Sequence, residues 1–209
     1  MKTENPWLQI PAEDYEGHMS APNVLQLQML NKIFADVLNK FPHKSICILG
    51  CTTGNGFEHL TNEKVERIIG VDINNKFLTV CKKQYGNKLP KLELICADLT
   101  ELDFPNGSFD LIHSALIFEY VDVDKLLLKI FRWLKPNGIL SVVLQLPGET
   151  SAPVSETTYQ SLKLLNPVMK LVNVEDLKTK AENNELNEIQ NYKINLQTGK
   201  SFSVLILQK

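Results

Sequence analysis

The sequence predicts an α/β protein whose mostly parallel sheet is covered by helices on both faces, giving three layers. Between residues 46 and 146, short apolar runs typical of strands alternate with helical patterns. Such alternation implies right-handed crossovers and parallel strands. The chain has 209 residues, 44% of them apolar, which suits a single domain with a buried core. Near residue 209, two strand patterns joined by a turn predict a hairpin and an antiparallel last strand.

The elements follow from local patterns in chain order. Apolar residues from Val24 to Phe41 recur at helical spacing, and Pro42 ends that helix. Apolar runs predict strands at residues 46–49, 67–71, 92–96, 109–114 and 138–146. Helices are expected at residues 54–62, 75–85, 123–134 and 174–183. The terminal hairpin comprises residues 189–196, a turn at 197–200 and a strand at 202–207.

Composition and charge exclude several classes of function. The net charge is −2 and the basic residues are dispersed, which argues against a nucleic-acid partner. No apolar stretch is long enough to span a bilayer, so no membrane association is expected. The first residues lack the pattern of a signal peptide, which predicts a cytoplasmic protein. The four cysteines have no zinc-ligand spacing, so no metal site is predicted.

The segment ICILGCTTGNG, residues 46–56, ends a strand and enters a glycine-rich turn. Such a turn lets a ligand approach the backbone closely. Its spacing, Gly-x-x-x-Gly-x-Gly, differs from the dinucleotide fingerprint, which counts against a nicotinamide enzyme. A turn that only links strand to helix is the alternative.

Two aspartates follow later strands. Asp72 lies 22 residues after Gly50, where an acidic residue commonly accepts hydrogen bonds from ribose hydroxyls. It could instead cap the next helix, a role open also to Asn74 or Asn75. Asp98 follows the third predicted strand and could accept from an adenine amino group or serve as a loop cap. The carboxyl edge of an α/β sheet is where ligands bind.

The ordered set ILGCTTGNG, GVDIN, ADLTELDFPNGSFDLIHS and LKPNGIL resembles the class I S-adenosylmethionine-dependent methyltransferases, in particular the type 11/12-like small-molecule branch. The resemblance covers roughly residues 46–146. It implies a Rossmann-like three-layer sandwich with seven strands, the last antiparallel, and S-adenosyl-L-methionine as cofactor. Residues 1–43 would then form an N-terminal lid and helix, 44–146 the cofactor-binding core, and 147–209 a substrate-side segment and hairpin.

The resemblance also implies site roles. The methionine part of the cofactor would contact Gly50, Cys51, Thr52 and Gly54. Asp72 would bind the ribose, and the adenine would lie among Ile73, Asp98 and Leu99. Ser114 and Ala115 would line the floor near the sulfonium.

Two positions depart from the family pattern. Ile48 stands where an acidic residue is usual, and Thr52 where glycine is frequent. Because a β-branched residue resists positive φ, Thr52 either keeps a negative φ or carries strain.

The acceptor side has fewer signals. Tyr15 and His18 would share one face of a helix that could cover the cofactor, touch its carboxylate or act as a base; an ordinary surface helix is the alternative. Glu119 and His113 follow or end the fourth strand, with structural roles as the alternative. Residues 147–167 could cover the substrate. No motif for exocyclic amines or cytosine rings is present, so a small-molecule acceptor is expected. A non-catalytic cofactor-binding module is the second hypothesis.

Overall fold

The computed structural model describes residues 5–61, 63–148 and 153–209, and its core is one twisted sheet. The strands are β1 (Ser45–Leu49), β2 (Arg67–Asp72), β3 (Leu92–Cys96), β4 (Phe109–Ala115), β5 (Leu134–Gln145), β6 (Asn187–Asn195) and β7 (Ser201–Gln208). The α-helices of the described residues are α1 (Ala12–Ser20), α2 (Gln26–Lys40), α3 (Asn75–Tyr85), α4 (Val123–Trp133) and α5 (Val174–Glu182). Short 3-10 helices occupy Pro6–Gln9, Phe57–His59 and Gln160–Leu165.

The strand order β3-β2-β1-β4-β5-β7-β6 confirms the predicted seven-stranded, mostly parallel sheet. Strands β1 to β5 pair in parallel, whereas β7 lies antiparallel between β5 and β6. The order reverses between β1 and β4. Ligands of open α/β sheets bind at such a reversal, beyond the carboxyl ends of the strands.

The two faces of the sheet bury separate apolar cores. Strand residues alternate in direction, so Ile46 and Ile48 of β1 face one core while Cys47 and Leu49 face the other. The first core packs against α1, α2 and α3, and includes Phe34 and Phe77. The second packs against α4 and α5. Both faces are therefore closed, as the apolar strand patterns predicted.

The predicted elements hold with two corrections. The ranges 75–85 and 92–96 agree with α3 and β3. The helix predicted at residues 54–62 is wrong: the described residues there contain only the turn Phe57–His59, and residue 62 lies outside them. Gly54 and Gly56 have φ of 93° and 87°, which a right-handed helix cannot contain. Strand β5 also begins at Leu134 rather than residue 138, directly after α4.

No helix in residues 5–61, 63–148 and 153–209 is long and apolar enough to cross a bilayer.

Candidate functional site

A cavity of about 660 Å³ lies over the carboxyl ends of β1 to β5, at the reversal of strand order. Its volume falls within the range of small-molecule sites. From one end to the other, the sheet side presents Asp98, Asp72, Gly50, Ala115 and Gln145. The cover comes from residues 5–30, the segment 153–169 and the hairpin turn.

The glycine loop follows β1 and forms the wall of the cavity. Gly50 has a φ of 66°, and the Cys51 N–H donates to the Val71 carbonyl at 2.9 Å. A Cβ added at Gly50 would lie 2.1 Å from Ile117 Cδ1. Position 50 therefore requires glycine both for its backbone conformation and for space.

Of the two conformations expected for Thr52, the structure shows the strained one, with a positive φ. Its φ is 47°, in the left-handed region. This conformation directs its backbone N–H to Asp72 Oδ2 at 2.9 Å. The loop is thereby tied to the end of β2, and a residue that disfavours this region is held there by a hydrogen bond to a buried carboxylate.

Asp72 lies at the end of β2 and is 7% exposed. Its Oδ2 accepts from Thr52 and its Oδ1 accepts from the Asn74 N–H at 2.8 Å. The helix-capping alternative belongs to Asn74, whose Oδ1 accepts from the Lys76 N–H at 2.9 Å. Burial raises the pKa of Asp72 to about 6, against the lowering effect of the backbone N–H donors. The carboxylate is thus fixed in orientation and reaches the cavity.

Asp98 serves partly as the loop cap that the sequence left open. Its Oδ1 accepts from both the N–H and the hydroxyl of Thr100, each at 2.8 Å. The residue is exposed and also lines the cavity. Ile73 and Leu99 add apolar side chains to the cavity wall.

Five candidate residues lie outside the cavity wall: Cys51, Gly54, His113, Ser114 and Glu119. Cys51 is buried in the core, and its Sγ lies 2.9 Å from a Cβ built at Gly70. Gly54 packs against Cys81 and Tyr85. Ser114 is fully buried, and its Oγ has no hydrogen-bond partner among the described residues.

Glu119 supports the cavity from behind. It is 1% exposed, and its Oε1 accepts from the Gln145 N–H at 2.8 Å. Its Oε2 has no partner in the described parts of the chain. Burial raises the pKa of this carboxyl to about 7. The contact holds the end of β5, which carries Gln145 into the cavity.

The N-terminal segment forms an aromatic cover, as the helical interpretation of Tyr15 and His18 predicts. Trp7 packs edge-on against Tyr120 at 5.0 Å between ring centroids, and Tyr15 packs on Phe77 at 5.2 Å. Asn74 Nδ2 donates to the carbonyls of Trp7 at 2.8 Å and Ile10 at 3.1 Å. Burial raises the pKa of Tyr15 to about 12, while a hydrogen bond with Thr52 lowers it. The Tyr15 hydroxyl therefore stays protonated at neutral pH.

His18 lies on the same helix and lines the cavity. Its Nδ1 is 2.9 Å from Thr157 Oγ1. Burial, and secondly the charge of Lys200, lower the pKa of His18 to about 4. The imidazole is neutral at physiological pH.

Sequence patterns did not indicate several cavity residues. Gln26, Gln145 and Lys200 converge at the end of the cavity nearest β7. Apolar side chains of the segment 153–169, including Val154, Leu162 and Met169, cover the cavity from outside. That agrees with the expected position of a covering segment, although residues 149–152 lie outside the described ones. The positions carry no local signal because contacts distant in sequence bring them together, such as Gln26 with Gln145 and Lys200 with Pro153.

His113 is part of the core rather than the cavity. It is buried, lies 3.1 Å from Ser141 Oγ through Nδ1, and packs on Phe34 at 4.7 Å between ring centroids. Burial lowers its pKa to about 4. Its structural interpretation is therefore favoured. No cluster of metal-ligating side chains occurs within the described ranges.

Comparison with known proteins identifies relatives of the central region. Residues 48–142 match the family described as "Methyltransferase domain". A phosphoethanolamine N-methyltransferase of Triticum aestivum is 27% identical over 123 residues, covering 57% of this chain and 24% of the relative. A carboxy-S-adenosyl-L-methionine synthase of Actinobacillus pleuropneumoniae is 33% identical over 100 residues, covering 44% of this chain and 41% of the relative. The chain thus spans about a quarter of the length of the plant relative.

The fold has a close counterpart among solved structures. The N-methyltransferase NodS of Bradyrhizobium japonicum, determined with S-adenosyl-L-homocysteine, superposes with a TM-score of 0.69. The match covers 95% of this chain and 97% of NodS at 13% identity. At that identity the likeness establishes a shared fold.

Proposed function

We propose that the chain is a class I S-adenosylmethionine-dependent methyltransferase, which transfers the methyl group of S-adenosyl-L-methionine to a small-molecule acceptor. The observation that carries this proposal is the buried carboxylate of Asp72 at the cavity wall. The plant phosphoethanolamine N-methyltransferase named above supports the same chemistry without fixing the acceptor.

Asp72 keeps hydrogen-bond capacity for a ligand hydroxyl. An ionised carboxylate has about four lone-pair sites. Backbone N–H groups of Thr52, Asn74 and Ile73 donate to it, Thr52 to Oδ2 and Asn74 to Oδ1. By this count about one acceptor site remains for the cavity that Asp72 lines. A carboxylate at this strand end suits a ribose hydroxyl.

The remaining cofactor contacts follow from the cavity wall. Adenine would lie between the apolar side chains of Ile73 and Leu99, with Asp98 at its edge. The methionine part would follow the Gly50 loop, and the Tyr15 hydroxyl would donate to its carboxylate. Ile48 belongs to the apolar core, so this chain supplies no carboxylate for the cofactor's amino group from that position.

Methyl transfer from a sulfonium requires no covalent bond between the protein and the reactants. Bound S-adenosylmethionine supplies an activated methyl group, and the protein positions the acceptor in line and excludes water. The aromatic cover of Trp7 and Tyr15 performs the second task. The neutral His18 lies at the acceptor end, with its Nδ1 2.9 Å from Thr157 Oγ1. Its low pKa makes it a weak general base.

Calorimetric titration with S-adenosyl-L-homocysteine tests the cofactor site. We expect Asp72→Ala to weaken binding by about tenfold, because a charge-assisted hydrogen bond of about 1.5 kcal/mol is lost. Asp36→Ala, an exposed residue of α2 away from the cavity, is the matched control. Equal affinity of the Asp72→Ala and Asp36→Ala proteins would refute the ribose assignment, and absence of binding to the unaltered protein would refute the function.

The same titration should depend on pH. Since the pKa of Asp72 is about 6, the carboxylate is mostly ionised at neutral pH and mostly protonated at lower pH. Binding should weaken by about tenfold from about pH 7 to about pH 5, and this loss should be absent from Asp72→Asn. An affinity of the unaltered protein that is constant over that range would contradict a direct contact.

Catalysis itself separates an enzyme from a cofactor-binding module. A small-molecule pool is incubated with the protein and methyl-labelled S-adenosylmethionine, and labelled products are separated. A product that depends on Asp72 supports transfer. Cofactor binding without any labelled product supports the module. The polar end of the cavity beyond Ala115, at Gln26, Gln145 and Lys200, favours the enzyme because it leaves room and partners for an acceptor.

A further inference from the structure

A buried lysine lies at the β7 end of the cavity without a charged partner. Lys200 is 5% exposed, and its Nζ donates to the Pro153 carbonyl at 2.6 Å and to Gln145 Oε1 at 3.5 Å. It is in no ion pair with any residue that the structure describes. An ammonium group has three donors. The third is available to a ligand in the cavity that Lys200 lines.

The polar groups around Lys200 are neutral, and hydrogen bonds hold them in position. Gln145 Nε2 donates to the Pro153 carbonyl at 2.9 Å, and Gln26 Nε2 lies 3.4 Å from Gln145 Oε1. Both glutamines are at most 5% exposed. The His18 imidazole, whose pKa the Lys200 charge lowers, completes this end of the cavity. The cluster therefore contains one cation. The buried carboxyl next to it, Glu119, accepts from the Gln145 backbone N–H and forms no ion pair with Lys200 among the described residues.

Such a cluster favours an anionic ligand. Burying an ammonium without an opposite charge costs several kcal/mol. Burial lowers the pKa of Lys200 to about 8, so it is still mainly protonated at neutral pH. An anionic oxygen beside Nζ would offset the cost of burial and accept the free donor.

The position of Lys200 separates it from the predicted cofactor contacts. Asp72 and Gly50 follow β2 and β1, whereas Lys200 immediately precedes β7. Three strand spacings of about 4.8 Å lie between β1 and β7, a distance of roughly 14 Å. The cluster thus belongs to the acceptor end of the cavity rather than to the methionine end.

We propose that the methyl acceptor carries an oxyanion, a carboxylate or a phosphate, which Lys200 binds at the β7 end of the cavity. The proposal rests on the proposed function for the identity of the ligand as acceptor. It narrows that function to anionic small molecules. Gln26 supplies a second donor for the same anion, and His18 faces the part of the acceptor nearer the cover.

Titration of the protein saturated with S-adenosyl-L-homocysteine tests the anion site, with acetate and methyl phosphate as probes. Both can contact Lys200, and their relative affinities distinguish carboxylate from phosphate. We expect Lys200→Met to weaken the preferred probe by at least about tenfold, or 1.4 kcal/mol. Lys193→Met, an exposed lysine of β6 in the same hairpin, should leave probe affinity unchanged.

The control measurements keep this test separate from that of the cofactor. The affinity for S-adenosyl-L-homocysteine should change less than twofold in Lys200→Met. A large loss of that affinity would place Lys200 at the cofactor and overturn the proposal. Thermal unfolding verifies the fold of the variant, and Lys200→Gln serves if Lys200→Met unfolds. If the cofactor product does not bind, the anion titration is done without it, and only the function fails. Failure of both probes to bind at tens of millimolar, or equal binding by the variant, overturns the anion site.

An acceptor screen provides the functional readout. Methyl-labelled S-adenosylmethionine is supplied with separate pools of anionic, neutral and cationic small molecules. The labelled product should come from the anionic pool, with a KM raised at least about tenfold by Lys200→Met and a smaller change in kcat. A product arising only from the neutral or cationic pool would overturn the proposal.

Discussion

The backbone strain at Thr52 is matched by a specific contact. A β-branched residue in the left-handed region costs about 1–2 kcal/mol. The same conformation delivers its N–H to Asp72 and places its side chain beside Tyr15. Strain concentrated at a ligand-facing loop, and offset by a hydrogen bond to a buried carboxylate, is typical of functional sites.

Gly50 should be intolerant of a methyl group at the same loop. Gly50→Ala places Cβ against Ile117 Cδ1 in addition to occupying a positive φ. Ile117 lines the cavity, so its displacement narrows the site. We expect a loss of stability of about 1–2 kcal/mol and weaker binding of S-adenosyl-L-homocysteine, measured by denaturant unfolding and calorimetry.

Gly107→Ala is the matched control for Gly50→Ala. Its φ of 67° equals that of Gly50 within a degree, yet nothing lies within 4 Å of the added Cβ. It should show the conformational cost alone and leave cofactor-product affinity unchanged. If both variants lose stability equally and bind equally, crowding at Ile117 has no role.

At this scale the sequence identified Asp72 and Gly50 because strand ends and their spacing are local features. It left open whether Asp72 or an asparagine caps α3, since several side chains compete for the same N–H groups. It also left the φ of Thr52 open. The φ of Thr52 depends on a contact with a residue 20 positions away, Asp72.

Among the elements, Asn74 joins the cover to the sheet. Its Oδ1 caps α3 while its Nδ2 holds the carbonyls of Trp7 and Ile10. One buried side chain thus fixes both the start of a helix and the position of the N-terminal segment over the cavity. A substitution at Asn74 should therefore change how firmly the N-terminal segment is held over the cavity without removing a residue from the cavity wall.

Asn74→Ser should loosen the cover while preserving α3. A serine hydroxyl can still cap the helix but cannot reach both carbonyls. We expect a stability loss of about 1–3 kcal/mol from the unsatisfied carbonyls, with faster hydrogen exchange in residues 5–20 and unchanged protection in α3. Asn74→Ala removes both functions and should also accelerate exchange in α3. If hydrogen exchange of residues 5–20 is unchanged in Asn74→Ser, the hydrogen bonds of Asn74 to Trp7 and Ile10 do not hold the cover.

The elements show which parts of the fold local pattern can predict. The buried strand β1 is an apolar run with a glycine directly after it, so the sequence located it. The glycine loop misled the prediction of a helix because Gly54 and Gly56 are used for positive φ. The Lys200 cluster was not predictable, since its contacts join residues 26, 145, 153 and 200 through the order of strands.

Over the whole molecule, buried ionisable groups have opposite effects on how the free energy of unfolding changes with pH. Burial lowers the pKa of His113 and His18 to about 4, so each contributes stability that is lost as pH falls below the unfolded value of 6.5. Burial raises the pKa of Asp72 to about 6 and of Glu119 to about 7, with the opposite sign. The net stability profile is therefore flatter than any one group suggests, and single groups are best resolved by differences between variants.

Glu119→Gln should reveal the largest of the carboxyl contributions. Because the folded pKa of about 7 exceeds the unfolded value of 4.5, the folded state binds more protons between these values, and stability falls as pH rises through that window. Full ionisation costs about 3 kcal/mol. Glutamine mimics the protonated carboxyl, so the variant should match the unaltered protein near pH 4.5 and exceed its stability by up to that amount at about pH 8. Denaturant unfolding across this range measures the difference.

Glu182→Gln, on the exposed side of α5, removes the same formal charge and should have a smaller effect throughout. Parallel curves for Glu119→Gln and the unaltered protein would mean that the end of β5 holds the ionised carboxylate without cost.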